Sequence, residues 1–600
     1  MMKIAILSTL NHRSSTAILT LVIFNPLLLT ATKTLLVICV GVFGSITSFL
    51  ILNLSSSLFE HNHNSSNGIA AIIDVGNSSD IGEKGGGWKG SSSSFYSLSS
   101  IISPQYAYAK EHVIAVPSRE GPRIMVNNSN LKIETVFKGG LKLPTSMAFL
   151  GPKDILVLEK DNGTVQRIVD GKMLSHPILK VPVASKLERG MLGIAIARYR
   201  NNNNAATNTV NTSKTTAAFI PFDAEGGNER TGGKSTNIMA ASTDDSNTTT
   251  YVFLYYTQSG GGKDGDDHPI NCYCNYKNAD DHPKGGAKPI PPLGNRLYRY
   301  EFDERNNKLI NPKFLLDLPA TTYKIYETDH MGGRILIGPD NNVYVIIGDV
   351  GAHLGKAENI QTGKGLNRGK GLDGTGGILR VTQDSKPVEP PLLGNNTYRA
   401  NIYYAYGIRN GFGIDFDPVT KKLWDTENGP DFGDEINLVN PGFNSGWRQV
   451  QGIWLRHVGD SMGPIAPIHP NKLVDFGGKG VYHPPQFTWE QTIAPTAIKF
   501  LNSSKLGKQY ENDMFVADVL FGNIYHFKLN KQRDGLLLTG RLADKVANNA
   551  DETFIPWFAA GFGAITDLQV GPDGYLYVLS HTAGAIYRIV PASLSSSSSP

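Results

Sequence analysis

Ile337-Gly338-Pro339-Asp340-Asn341 leads into Val343-Tyr344-Val345-Ile346-Ile347, and this stretch decides the fold. Gly, Pro and Asp make a tight turn, and the β-branched run behind it suits a strand. The unit recurs as Val570-Gly571-Pro572-Asp573-Gly574 before Leu576-Tyr577-Val578-Leu579. Weaker copies are Phe149-Leu150-Gly151-Pro152-Lys153-Asp154 before Ile155 to Leu158, and Phe416-Asp417-Pro418 before Lys422-Leu423-Trp424. Each is a hairpin signal. No long segment from residue 130 to 591 keeps a 3.6-residue apolar period, so hairpins must close on one another. An all-β propeller does this while leaving only short, protected edges. Without its two insertions the domain offers on the order of 60 residues per blade for six blades, which predicts long loops on one face.

Composition fits that class. Charged residues make up only 18% and glycines number 64, a balance suited to short strands and many turns. The chain has 57 Lys and Arg against 53 Asp and Glu, so its charge gives no reason to expect nucleic acid as a partner. Three cysteines cannot supply a disulfide framework for 600 residues, and core burial must carry the stability.

The N-terminus speaks to location. Leu35 to Leu54 is an uncharged, mostly apolar run of 20 residues, long enough as a helix to cross about 30 Å of hydrocarbon. Lys3, Arg13 and Lys33 precede it and no Lys or Arg follows until Lys84, which predicts residues 1–34 on the cytoplasmic side. Residues 35–54 are thus expected to be a transmembrane or signal-anchor helix, placing the folded domain at the cell membrane on its extracellular or pseudoperiplasmic side. An earlier apolar stretch, Ser14 to Thr32, is broken by Asn25 and Pro26; a second span there would keep the domain inside. Residues 55–125, rich in Ser, Gly and Asn, read as a flexible stalk. Residues 200–250 and 259–293 read as surface insertions, and 592–600 as an unstructured tail.

Three polar clusters fall where strands give way to loops. In Asp329-His330-Met331-Gly332-Gly333-Arg334, a histidine precedes a long hairpin whose far end carries Gly348-Asp349-Val350-Gly351. The two can meet at one rim, and an imidazole oriented by a carboxylate is a general base suited to neutral pH. The bland alternative is a histidine capping a blade and an aspartate closing a turn. Tyr406-Gly407-Ile408-Arg409-Asn410-Gly411 sets a guanidinium beside an amide, donors that can steady an oxyanion or simply brace a loop. Glu427-Asn428-Gly429-Pro430-Asp431-Phe432-Gly433-Asp434-Glu435 is dense in the oxygen donors that calcium favours, although solvated acidic turns are common.

In order and spacing these clusters closely resemble the glucose/sorbosone dehydrogenase family, soluble-type quinoproteins related to aldose sugar dehydrogenases that use pyrroloquinoline quinone. Leu187-Glu188-Arg189-Gly190-Met191-Leu192-Gly193, Asp434-Glu435-Ile436-Asn437-Leu438 and Gly571-Pro572-Asp573-Gly574 extend the likeness across the domain outside the insertions. The resemblance implies a six-bladed propeller with the quinone across the open end of its channel. It implies that His330 takes the proton of a sugar's anomeric hydroxyl while hydride passes to the quinone, and that Asp349 holds the imidazole. Arg409 and Asn410 would face the reactive carbonyl, Glu188 would lie at the cofactor, and the carbonyls of Gly429 and Pro430 would bind calcium.

The sequence departs from the family's pattern at the cofactor. Glu188 stands where glutamine is common, Leu520 where a lysine is expected, and Ala564 and Thr566 where two arginines are expected. The insertion with Asp264, Asp266, Asp267, His268, Cys272, Cys274, Asp280, Asp281 and His282 offers soft-metal ligands at no standard spacing. Besides a metal-handling surface protein built on that insertion, two functional classes follow. One is an exported, membrane-tethered sugar oxidoreductase that needs an electron acceptor of unknown identity. The other is a catalytically silent propeller that binds sugar or protein at the cell surface.

Overall fold

The computed structural model describes residues 3–10, 16–24, 36–42, 124–200, 218–219, 248–261, 291–320, 329–350, 372–394, 399–447, 449–455 and 473–592. Contacts divide the chain into two compact units, Met1–Phe95 and Tyr96–Pro600. In the first, Lys3–Leu10, Thr16–Phe24 and Leu36–Val42 form an antiparallel sheet in chain order. The helix expected over 35–54 is therefore corrected across 36–42. That segment reads Leu-Val-Ile-Cys-Val-Gly-Val, and its β-branched residues suit an extended backbone at least as well as a helix. Among the described residues no helix is long and apolar enough to cross a membrane. The remainder of the expected helix, nearly all of the stalk and the Cys and His insertion lie outside the described residues.

The second unit is an all-β propeller. Its inner strands are β1 (Pro144–Gly151), β2 (Met191–Arg200), β3 (Ile335–Ile337), β4 (Gly411–Phe416), β5 (Pro495–Phe500) and β6 (Ile565–Val570). Each packs on the next, and β6 packs back on β1. In the sheets that begin with β1 to β5, the four central strands follow one another along the chain. Five blades are built this way, which corrects the expected count of six. The last sheet is a composite, in which β6, Leu576–Ser580 and Ala585–Pro591 are completed by Leu131–Lys138 from the start of the domain. That strand covers an edge that would otherwise expose unpaired backbone. The fold also begins earlier than residue 130, because Met125–Val126 pairs with Trp557–Ala560.

Apolar layers lie between successive sheets. Along Asp154–Glu159, Leu156 and Leu158 pack with Val252 and Leu254 of the second blade, whereas Ile155 and Val157 pack with Tyr577 and Leu579 of the composite sheet. The two-residue period of a strand thus feeds both neighbours. The repeated turn has a specific cause. Tyr344 donates to Asp340 Oδ2 at 3.0 Å and Tyr577 donates to Asp573 Oδ2 at 2.8 Å. Each tyrosine ring lies over the turn glycine, where a Cβ at Gly338 or Gly571 would stand 2.4 Å from a ring carbon.

Candidate active site

The segments leading into the inner strands touch from blade to blade. Before β2, the Glu188 carboxylate accepts from the backbone N–H of His330, before β3, at 2.6 Å. Past the hairpin that β3 opens, the N–H of Asp349 donates to the carbonyl of Arg409, before β4, at 2.8 Å. Ahead of β5, the N–H groups of Ile493 and Ala494 donate to Asp434 Oδ2 at 2.7 and 2.8 Å. All the candidate residues therefore gather at one end of the propeller.

At that end His330 Nδ1 lies 2.5 Å from Asp349 Oδ1, and both residues are buried. The hairpin Ile335–Ile337 with Val343–Ile347 brings them together, since one stands just before it and the other just after. Their backbones are constrained. His330 has φ 62° and Val350, beside Asp349, has φ 53°, a left-handed conformation that a β-branched residue rarely takes. Gly348 allows the close approach, because a Cβ there would stand 2.5 Å from the Arg409 carbonyl oxygen and 2.7 Å from that of His330. Burial pushes the Asp349 carboxyl up, but the His330 imidazole, the Arg409 guanidinium and a hydrogen bond from Trp447 outweigh it and hold it below the usual range.

Arg409 is buried, and its Nη1 donates to the carbonyls of Asn428 and Gly429 at 2.8 and 2.9 Å. Its own N–H donates to Glu427 Oε1 at 2.7 Å. Burial lowers its pKa from the ordinary arginine value, against the pull of Asp349 and Glu427. Asn410 is buried, and its Oδ1 has no hydrogen-bond partner among the described residues. Gly429 donates its N–H to Asp434 Oδ1 at 2.8 Å, and Pro430 beside it is partly buried. Glu188 has a buried carboxyl group although the residue as a whole is partly exposed; burial raises its pKa, opposed by His330 and reinforced by Asp329.

The acidic cluster expected to face calcium turns inward instead. Glu427 Oε2 accepts from Ser445 at 2.7 Å, and Glu435 Oε1 accepts from Gln451 and the N–H of Gly452 at 3.1 and 2.5 Å. Among the described residues no group of three or more His, Cys, Asp or Glu side chains is arranged to hold a metal. Leu520 is exposed, Ala564 offers only backbone groups, its N–H to Thr582 and its carbonyl to the N–H of His581, and Thr566 Oγ1 donates to the Pro144 carbonyl.

Sequence reasoning missed Trp447. Its indole N–H donates to Asp349 Oδ2 at 2.8 Å, and the Arg409 guanidinium lies over its ring, 5.4 Å from the centroid. The signal was a lone aromatic in Asn444-Ser445-Gly446-Trp447, a segment otherwise made of turn residues.

Aldose sugar dehydrogenase YliI of Escherichia coli (strain K12) is 27% identical over 279 residues, which is 45% of this chain and 62% of that protein. Quinoprotein glucose dehydrogenase B of Acinetobacter calcoaceticus is 26% identical over 368 residues, 53% of this chain and 71% of that protein. An uncharacterized Synechocystis protein is 29% identical over 255 residues, 42% of this chain and 53% of its own length. The chain thus spans between half and two thirds of the Synechocystis and Escherichia coli relatives. The apo form of the soluble aldose sugar dehydrogenase from Escherichia coli covers 77% of this chain at 19% identity, with a TM-score of 0.48. The family model for glucose/sorbosone dehydrogenase matches residues 245–588, more than half of the sequence, and the chain belongs to that family.

Proposed function

We propose that the protein oxidises an aldose or related sugar, with pyrroloquinoline quinone as hydride acceptor. The observation that carries this reading is the buried His330 and Asp349 pair beside Arg409 and Asn410. The residues present fit the redox end of such a group. Asn410 Oδ1 is a buried polar atom with no hydrogen-bond partner among the described residues, and the neighbouring guanidinium is buried with it. When bound, the quinone supplies a two-electron acceptor. Asp349 accepts the Nδ1 proton of His330, which leaves Nε2 as the ring nitrogen with a lone pair. That nitrogen takes the proton of the anomeric hydroxyl as hydride leaves the anomeric carbon, so the sugar departs two electrons poorer, as a lactone. The Arg409 guanidinium and the Asn410 side-chain amide N–H would supply donors to oxygen atoms that gain charge.

The expected calcium ligands are the carbonyls of Gly429 and Pro430. The Gly429 carbonyl accepts from the Arg409 guanidinium, and no step is assigned to calcium. A working place outside the cytoplasm rests on the basic residues ahead of the apolar run 35–54 and not on a helical span, since 36–42 pairs in a sheet. Protease shaving of intact cells tests that placement, which fails if the propeller is protected.

The test of the activity is reconstitution. The full-length chain is titrated with the quinone, offered a panel of aldoses and followed by dye reduction; absence of quinone uptake at micromolar concentration overturns the reading. A second reading, a silent sugar- or protein-binding propeller, is favoured by Leu520 and Ala564, which bring no cation to a triply carboxylated cofactor. It requires ligand binding that survives loss of His330 and no turnover in the native protein.

A further inference from the structure

Residues 443–447 run beside the strand that leads to Arg409. Phe443–Asn444 pairs in parallel with Ala405 and Tyr406, the N–H of Ser445 donates to Tyr406, and the N–H of Trp447 donates to the Gly407 carbonyl at 2.9 Å. This fixes the backbone of Trp447 two residues from Arg409. The indole is 4% exposed and touches two functional groups at once. Its N–H reaches Asp349 Oδ2 at 2.8 Å, the oxygen that does not face His330, and its ring face lies under the Arg409 guanidinium.

A carboxylate held at one oxygen alone can swing about its Cβ–Cγ bond. Held at both, it fixes the plane in which it meets the imidazole. The ring does the same for Arg409, whose cation is drawn to the negative face of the indole. We propose that Trp447 is a positioning residue of the sugar-oxidising site, one that aligns Asp349, and through it His330, while steadying Arg409. The proposal rests on the sugar-dehydrogenase reading, but the alignment it describes exists without cofactor or substrate.

The test replaces Trp447→Phe, which removes the N–H donor and keeps a ring under Arg409. If that protein does not fold, benzothienylalanine placed at 447 preserves the indole shape without its N–H. The first readout is the downfield proton resonance of His330 Nδ1 in the protein without cofactor, which is expected to shift or broaden. The second is the reconstituted enzyme, where kcat is expected to fall about tenfold or more, as for loss of a hydrogen bond to a charged group, while KM changes little. The thermal midpoint is expected to stay close to that of the wild type. An unchanged resonance overturns the proposal, and so does a loss of kcat that only accompanies a fall in thermal midpoint. If the wild type takes up no quinone, the sugar-dehydrogenase reading fails while the resonance still decides whether Trp447 aligns the pair.

Discussion

His330 takes φ 62°, so a variant meant to test its chemistry should tolerate left-handed backbone. Asparagine does so better than most residues. His330→Asn is expected to lower kcat by about 10²- to 10⁴-fold, the usual contribution of a general base, and to leave the thermal midpoint nearly unchanged. Retained turnover in dye-reduction assays would remove the base assignment. Gly348 is constrained by contact and not by its own backbone. Gly348→Ala forces apart the carbonyls of His330 and Arg409 and is expected to cost about 1–3 kcal/mol of stability, read by denaturant unfolding, together with most of the activity. Leu520 is 56% exposed at the expected position of a lysine. Leu520→Lys is expected to tighten quinone binding about tenfold or more, measured by fluorescence titration; an unchanged affinity would mean that the carboxylates lie elsewhere.

At the scale of single elements, the turn after Met514–Asp518 shows how burial sets a pH response. Asp518 is buried and accepts from the N–H groups of Phe521 and Gly522 at 2.6 and 2.8 Å and from the Tyr525 hydroxyl at 2.9 Å. Burial nevertheless pushes its pKa from 3.8 up to about 7. A carboxyl raised in the folded state favours folding below its unfolded pKa, and that advantage is lost as pH rises toward 7. The effect is at most on the order of 4 kcal/mol. The thermal midpoint is expected to fall between pH 5 and pH 8, and Asp518→Asn should flatten that slope; an equal slope in both proteins would refute it. Elements also show what sequence could and could not reveal. The turns at Gly338 and Gly571 were legible because a glycine, an aspartate and a tyrosine four residues beyond it act within a few residues of chain. His330 and Asp349 were legible because a single hairpin joins them. Trp447 was not, because its partner is 98 residues away and they meet only when Phe443–Asn444 returns to complete the same sheet. The run at 36–42 misled because apolar, β-branched residues satisfy a membrane helix and a strand alike.

For the whole molecule, the composite sheet decides how the ring holds. Leu131–Lys138 pairs with Ala585–Pro591 across more than 440 residues of sequence, a contact that no local pattern announces. A chain begun at residue 140 lacks that strand and leaves Ala585–Pro591 as an open edge. It is expected to melt several degrees lower and to associate on standing, which thermal unfolding and light scattering would detect; a monomer of unchanged midpoint would mean that the strand is dispensable. The same strand also governs the response to mechanical load. Leu131 pairs with Pro591 while Lys138 pairs with Ala585, so once the short pairing of Met125–Val126 gives way, both chain ends emerge at the same end of one antiparallel ladder. A force drawing those ends apart meets the rungs one after another and peels them like a zip, where shear would have to break all of them together.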